Sequence, residues 1–344
     1  MRRFHFARDP DPLAIGSTPQ AFLDWLGGPA CLSLSGEDPS RTRALVTLLH
    51  GNEPSGTFAL HQWLRSGKRP AVNLVCVVAS VAAAQEAPLF SHRMLPRARD
   101  LNRCFRPPFD DAQGALAEEI LTILRLHHPE AVVDIHNTSG SGPAFGVCRY
   151  ADANHEALVS LFTRRLIVSD LNLGALMELT EAQCPTVTVE VGGRLDEEAH
   201  LLAYEGLCRY FSAADVLHPD KTDWGLELFG DPIRLELQDH VTLTYAETPS
   251  ENYDITLLPD IEHHNFGGVR RDTPLGWARG EATRLFRAQD GGGRCAVARL
   301  VRIENGRLFP AQDLKLFMIT TNAQIAHADC LFYAVSDQGS GVLV

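Results

Sequence analysis

Between about residues 40 and 215, patterns typical of buried strands alternate along the chain with patterns typical of amphipathic helices. Segments rich in apolar residues predict strands at 44–49, 72–78, 131–135, 144–149 and 186–191. Helices are expected at 19–26, 54–65, 111–127, 153–165 and 196–212. Because strands and helices largely alternate, the pattern predicts an α/β fold with a mixed, largely parallel sheet flanked by helices.

The pattern changes after about residue 220. Residues 233–238 and 241–245 alternate apolar and polar side chains with period two, which is typical of half-buried strands. Further strands are expected at 295–303, 314–319 and 330–335. The sequence therefore predicts two domains, an α/β domain over residues 1–218 and a smaller β-rich domain over residues 219–344.

The composition argues against several classes of protein. The 344-residue chain has a formal net charge of −12, whereas a nucleic-acid-binding protein would present a basic face. It has no apolar run of about 18 residues, so no membrane-spanning helix is expected. The eight cysteines are scattered without a Cys-x-x-Cys pair, and no apolar secretory segment follows the polar N-terminus. A cytoplasmic location in a reducing compartment is the expectation.

A His-x-x-Glu motif, His50 to Glu53, follows directly after the strand predicted at 44–49. His136 follows the strand predicted at 131–135. In α/β sheets, functional sites are built at the ends of strands. Two imidazoles and a carboxylate are a ligand set of catalytic zinc, which lowers the pKa of a bound water to about 7. We therefore expect one zinc ion per chain, although a lone His-x-x-Glu often binds no metal. Asp134 shares a strand face with His136 and is a candidate to orient it.

Two further segments carry polar groups suited to amide hydrolysis. Glu190 interrupts an apolar run just before two glycines, and one carboxylate can act as base for water and then as acid for the leaving amine. Taken alone, a Glu in a strand is more often an exposed edge residue. The basic loop 91–103 contains four arginines, and guanidinium groups bind carboxylates through paired hydrogen bonds. These arginines are Arg93, Arg97, Arg99 and Arg103.

Four segments, in this order, resemble the motifs of the succinylglutamate desuccinylase/aspartoacylase family, a branch of the zinc carboxypeptidase-like fold. They are His50–Glu53, Arg99–Arg103, Asp134–Asn137 and Val187–Gly193. The resemblance covers roughly residues 40 to 215. It implies that His50, Glu53 and His136 hold zinc and that Glu190 is catalytic.

The same resemblance assigns roles in the basic loop. It implies that Asn102 and Arg103 hold a substrate carboxylate, and that an upstream arginine polarises the scissile carbonyl. Arg93 fits the upstream position best if the loop is two residues longer than in aspartoacylase, and Arg97 is the second choice. Asn137 is a further candidate, either for contacting the substrate or for capping its own loop.

The resemblance implies a zinc-dependent amidohydrolase that cleaves the linear amide of a small anionic N-acyl amino acid. A metallocarboxypeptidase acting on peptides and a zinc-binding protein without catalysis are the alternatives. Aspartoacylase has a substrate-contacting arginine in the dozen residues before its catalytic glutamate, and this chain has none before Glu190. N-acetylaspartate is therefore a doubtful substrate. His263 and His264 are expected to be surface residues, and a homodimer is expected from the frequency of such assemblies.

Overall fold

The computed structural model describes residues 4–138, 140, 142–170, 173–221, 223–328 and 330–336. These residues form two compact units. The described residues of the first lie within 4–137, 144–166 and 173–226, and those of the second lie within 138–143, 167–170 and 227–336. The separate expectation of domains over 1–218 and 219–344 stays a prediction.

The first unit is built on one sheet with helices. Its strands are β1 (His5–Arg8), β2 (Ala30–Leu34), β3 (Asp38–Thr47), β4 (Val72–Val78), β5 (Val132–Thr138), β6 (Phe145–Cys148), β7 (Arg165–Val168) and β8 (Thr186–Gly193). Its helices are α1 (Pro19–Leu26), α2 (Ser55–Arg65), α3 (Val81–Gln85), α4 (Ala112–His127), α5 (Ala153–Ser160), α6 (Leu176–Thr180) and α7 (Glu197–Ser212). A 3-10 helix spans Leu101–Arg103. The predicted mixed α/β fold is confirmed.

These strands follow the order β1-β2-β4-β3-β5-β8-β6-β7 across the sheet. β3 is parallel to both β4 and β5, whereas β2 with β4 and β6 with β8 are antiparallel. Local sequence explains the helix ends: the Asp111 carboxylate accepts a hydrogen bond from the Gly114 N–H at the start of α4. An apolar core packs α4 on the sheet through side chains such as Val75, Ala117 and Ile120.

The strand ends set the positions of the polar motifs. Thr47, the last residue of β3, lies opposite Ile135 of the parallel neighbour β5. His136 therefore follows on β5 at the level where β3 passes into the loop before α2, which carries His50 and Glu53. β8 is the next strand beside β5 in the sheet and contributes Glu190.

The second unit is mainly antiparallel β-structure. Its strands are β9 (Glu227–Gly230), β10 (Ile233–Leu237), β11 (Leu243–Tyr245), β12 (Ile255–Leu257), β13 (Gly268–Val269), β14 (Gly276–Ala278), β15 (Phe286–Arg287), β16 (Val301–Glu304), β17 (Arg307–Pro310), β18 (Leu314–Phe317) and β19 (Phe332–Ser336). Its helices are α8 (Ala282–Leu285), α9 (Val297–Leu300), α10 (Ala323–Ala328) and the 3-10 helix Ile261–His264. Two sheets, ordered β13-β18-β19-β10-β15 and β11-β12-β14-β17-β16, contribute to one apolar core.

Two predicted elements are wrong in part. The helix expected at 153–165 ends at Ser160, because the Thr163 hydroxyl donates to the Ala144 carbonyl and the chain then forms β7. The strand expected at 295–303 contains the helical turn α9 before β16. There, residues 296, 297, 300 and 301 are buried while residues 298 and 299 are exposed, which is helical spacing. Within the described ranges, no helix is long and apolar enough to cross a membrane.

Candidate metal and catalytic site

Three buried side chains, His50, Glu53 and His136, converge at the end of β3 and β5. One ligand atom from each lies within 4.8 Å of the others. Both imidazoles present Nδ1 to the same carboxylate, because His50 Nδ1 lies 2.8 Å from Glu53 Oε1 and His136 Nδ1 lies 2.7 Å from Glu53 Oε2. The structure therefore brings the three predicted metal ligands together.

The opposite nitrogen of each imidazole faces an aspartate. His136 Nε2 lies 2.9 Å from Asp134 Oδ2, and His50 Nε2 lies 2.8 Å from Asp100 Oδ1. A carboxylate accepts hydrogen bonds, so Nε2 of each ring donates its proton and Nδ1 can keep its lone pair for a cation. His50 Nδ1 is buried and faces the Glu53 carboxylate, at 2.8 Å, which suits a metal ligand.

The charges of this group also suit a cation. Burial disfavours the Glu53 carboxylate, but the His50 and His136 imidazoles outweigh it and hold the pKa of Glu53 well below its usual range. Burial likewise disfavours charged His136, but Asp134 and Glu53 raise the pKa of His136 well above its ordinary value. Since the surroundings stabilise positive charge between these side chains, a divalent cation fits where protons would otherwise be held.

Glu190 lies on β8 among apolar neighbours. Its Oε2 atom is buried without a hydrogen bond, although the residue as a whole stays partly exposed. Burial, together with the negative charge of Glu53, raises the pKa of Glu190 to about 7, against the opposing effect of His136, His50 and Arg93. A carboxyl group with this pKa can both take and give a proton near neutral pH.

The basic loop separates its arginines into different surroundings. Arg93 Nη1 lies 3.2 Å from Glu53 Oε1, so the Arg93 guanidinium borders the metal-ligand group. Arg97 is exposed and adopts a positive φ of 67°. Arg99 donates hydrogen bonds to Asp111 at 2.5 Å and 2.8 Å, and Asp111 is not one of the metal ligands. Of the two candidates for the upstream role, the structure brings Arg93 to the ligands.

Asn102 and Arg103 lie in the 3-10 helix after the loop. Asn102 is buried, and its Oδ1 accepts a hydrogen bond from the Leu176 N–H. Arg103 is partly exposed and donates from Nη1 to the Asn102 carbonyl at 2.9 Å. A carboxylate-binding role for this pair remains a prediction.

Asn137 has its side chain engaged by other parts of the fold. Its Nδ2 donates to Ser55 Oγ and to the Gly192 carbonyl, and its Oδ1 accepts from the Ser55 N–H. These bonds connect β5, β8 and the start of α2. They favour a structural role for Asn137 over a contact with the substrate. His263 and His264 lie in the 3-10 helix of the second unit, outside the metal-ligand group.

Glu178 was overlooked in the sequence. The Glu178 carboxylate accepts hydrogen bonds from the N–H groups of Leu173, Gly174 and Ala175, and it pairs with Arg106 at 2.9 Å. The Gly174 carbonyl in turn accepts from the Phe105 N–H, two residues beyond Arg103. An acidic residue three positions into a short helix was the available signal, since such residues bind free N–H groups.

Comparison with known proteins agrees with this architecture. Residues 39–205 match the sequence model of the succinylglutamate desuccinylase/aspartoacylase catalytic domain. The chain has no match among the curated proteins.

Solved structures share the fold at low sequence identity. A succinylglutamate desuccinylase/aspartoacylase from Rhodobacter sphaeroides is 15% identical, with a TM-score of 0.54 over 85% of this chain and 83% of that chain. Murine aminoacylase 3 is 17% identical, with a TM-score of 0.53 over 88% and 96% of the two chains. The product-bound ectoine utilization protein EutE (DoeB) from Ruegeria pomeroyi is 15% identical, with a TM-score of 0.53 over 88% of each chain. The chain therefore contains a segment, residues 39–205, that matches the catalytic domain of the succinylglutamate desuccinylase/aspartoacylase family, and it shares the fold of solved members of that family.

Proposed function

We propose that this protein is a zinc-dependent amidohydrolase that cleaves a small anionic N-acyl amino acid into a carboxylate and an amine. The observation that carries the proposal is the convergence of His50 Nδ1 and His136 Nδ1 on the two oxygens of Glu53, at 2.8 Å and 2.7 Å. The matched family and the neighbouring desuccinylases and aminoacylase support an acyl-amide substrate. The catalytic domain is proposed to span residues 1–218.

His50, Glu53 and His136 would hold one zinc ion per chain. They fit it because they are buried, they offer two imidazole nitrogens and a carboxylate, and two aspartates fix the outer ring nitrogens. When bound there, zinc supplies Lewis-acid polarisation and makes water more acidic. The chain's own residues must supply proton transfer and substrate orientation.

Glu190 is the proposed proton carrier. Its buried, unbonded Oε2 is free to accept a proton from the attacking water and to return it to the leaving amine nitrogen. A pKa raised to about 7 leaves both protonation states accessible at neutral pH. The amine would leave protonated, and the acyl group would leave as a carboxylate.

The arginines are proposed to handle the charges of the substrate. Arg93 borders Glu53 and would donate to the scissile carbonyl oxygen as negative charge develops there. Asn102 and Arg103 would bind the carboxylate of the amino-acid part, with Arg97 as an outer contact. A cytoplasmic location and a homodimer also stay predictions.

A substrate screen tests the proposal. Zinc-loaded protein is incubated with N-acetyl and N-succinyl amino acids and with N-blocked dipeptides, and the released amine is quantified. The proposal predicts hydrolysis of at least one N-acyl amino acid with a higher kcat/KM than any dipeptide. Preferred cleavage of dipeptides would instead identify a metallocarboxypeptidase. No turnover of either class, with zinc bound, would indicate a zinc-binding protein without catalysis.

A further inference from the structure

Asp100 touches three functional parts of the site through one carboxylate. Its Oδ1 lies 2.8 Å from His50 Nε2 and accepts the Asn102 N–H at 2.9 Å. Its Oδ2 accepts from Arg93 Nε at 3.1 Å and from Arg93 Nη2 at 2.9 Å. A proposed metal ligand, the proposed carbonyl-binding arginine and the start of the carboxylate-binding segment thus share one anchor.

Each contact fixes a different property. The bond from His50 Nε2 sets the tautomer in which His50 Nδ1 keeps its lone pair, and it fixes the plane of the ring. The paired bonds from Arg93 fix the guanidinium plane, which leaves Nη1 directed to Glu53 Oε1 at 3.2 Å. The bond from the Asn102 N–H caps the 3-10 helix Leu101–Arg103.

Asp134 provides a comparison within the same site. It also contacts the Nε2 atom of a metal-ligand histidine, His136, at 2.9 Å, but its other oxygen, Oδ1, is buried without a hydrogen bond. Asp134 thus resembles Asp100 in its histidine contact and lacks the bonds to arginine and to the loop backbone. The two aspartates therefore differ in their contacts to arginine and backbone while sharing a contact to a histidine.

We propose that Asp100 is a positioning residue that couples zinc binding at His50 to the orientation of Arg93 and of the Asn102–Arg103 segment. The inference rests on the proposed zinc site and extends it, because it predicts that one carboxylate controls metal affinity and transition-state binding together. The Asp100 side chain contacts both His50 and Arg93. It would therefore keep the zinc ligand and the group that binds the substrate carbonyl in a fixed relative position.

The first test measures zinc affinity, which needs no substrate. Zinc dissociation constants are determined by chelator competition for wild type, Asp100→Asn, Asp100→Ala, Asp134→Asn and Asp111→Asn. Loss of an aspartate behind a metal-ligand histidine typically weakens metal affinity about 10–100-fold, which is expected for both Asp100 variants and for Asp134→Asn. Asp111→Asn is the matched control, since it removes the same charge beside Arg99 of the same loop and keeps a residue that caps α4. It should bind zinc as wild type does.

The second test measures kcat and KM at saturating zinc. Asp100→Asn should still lose kcat, because Arg93 is no longer held, while Asp134→Asn should recover more of its activity. In a double-mutant cycle, Arg93→Ala should lower kcat less in the Asp100→Asn background than in wild type, since the two residues act through one arrangement. If the two substitutions lower kcat by independent factors that multiply in the double variant, Asp100 and Arg93 are not coupled.

If both Asp100 variants bind zinc as tightly as Asp111→Asn does, Asp100 does not position His50. This measurement of zinc affinity is independent of the proposed substrate class. If no N-acyl amino acid is hydrolysed but Asp100→Asn still weakens zinc binding, the substrate assignment fails and the positioning of His50 stands.

Discussion

Phe145 lies directly opposite Glu190 in the antiparallel pairing of β6 and β8. Phe145 is fully buried, and Val189 and Val191, which flank Glu190 on its strand, are buried as well. The Glu190 carboxyl therefore extends from an apolar part of the sheet, and burial is the largest cause of its raised pKa. A strand with no chemical role would place an apolar residue at such a position.

Replacing Glu190 by Gln should leave zinc binding intact and remove most turnover. The amide keeps the size of the side chain but cannot accept the proton of water, and a general acid–base group is typically worth about 10²–10⁴-fold in rate. Zinc content and kcat are measured on the same preparation. Near-normal kcat would show that a different residue carries the proton, whereas loss of zinc would show that Glu190 supports the metal.

Arg103 and Arg93 should fail in different ways. Losing a charge-assisted bond to the substrate carboxylate costs about 1.5–3 kcal/mol, so Arg103→Ala should raise KM and discriminate poorly between a substrate and its carboxamide analogue. Losing a donor to the developing oxyanion should lower kcat about 10²–10³-fold in Arg93→Ala. Arg97→Ala, which removes an exposed guanidinium from the same loop, is measured beside them. An inactive Arg97→Ala beside an unimpaired Arg93→Ala would assign the oxyanion role to Arg97.

His155 should stabilise the fold more at low pH than at high pH. Burial opposes its charge, but Glu181 and Asp152 outweigh it, each 2.9 Å from a ring nitrogen, and raise the pKa of His155 above 6.5. The contribution is therefore complete below 6.5 and is lost as pH rises through the folded-state pKa. The destabilisation caused by His155→Gln, from urea unfolding, should shrink with rising pH.

His61 provides the control of opposite sign for that experiment. It is buried, and burial lowers the pKa of His61 below 6.5. Its neutral form is favoured by the fold, so the destabilisation caused by His61→Gln should shrink as pH falls. The same pH trend in both variants would contradict the assigned charge states.

Arg43 should be among the most important polar residues for stability. Its side chain is fully buried and donates to the Tyr210, Ala213 and Ala214 carbonyls at the end of α7 and to Glu130 at 2.7 Å. Arg43→Met should lower the free energy of unfolding by about 3–5 kcal/mol, because the buried acceptors lose their donor. Arg41→Met removes a more exposed partner of Glu130 and should cost at most about 1 kcal/mol. Equal losses would contradict this account.

The sequence predicted much of the site because its ligands follow strand ends. His50 comes directly after an apolar run, Glu53 lies three residues further along the same loop, and His136 lies near the C-terminal end of β5. Parallel neighbours bring such strand ends together. Asp100 was harder to interpret, because its contact with His50 joins residues 50 positions apart through an irregular loop. The choice between Arg93 and Arg97 depends on the same loop, in which a positive φ at Arg97 changes the chain direction. Local patterns do not encode that conformation.

The spacing of apolar residues also could not predict the shortest helices and strands. The helical turn Val297–Leu300 is four residues long, and its apolar residues adjoin those of the following strand. An apolar run of this length is compatible with either structure, and only its packing in the second unit decides between them. The long helices α4 and α7 were predictable because their spacing persists over several turns.

Titrating zinc into metal-free protein while measuring amine release from the best N-acyl amino acid tests the central claim most directly. The account predicts that the rate rises with added zinc and levels off at about one ion per chain. His50→Ala should remain inactive over the same range, and His263→Gln, altered outside the ligand group, should follow wild type. A rate independent of zinc, or a His50→Ala curve that matches wild type, would contradict a zinc hydrolase built on His50, Glu53 and His136.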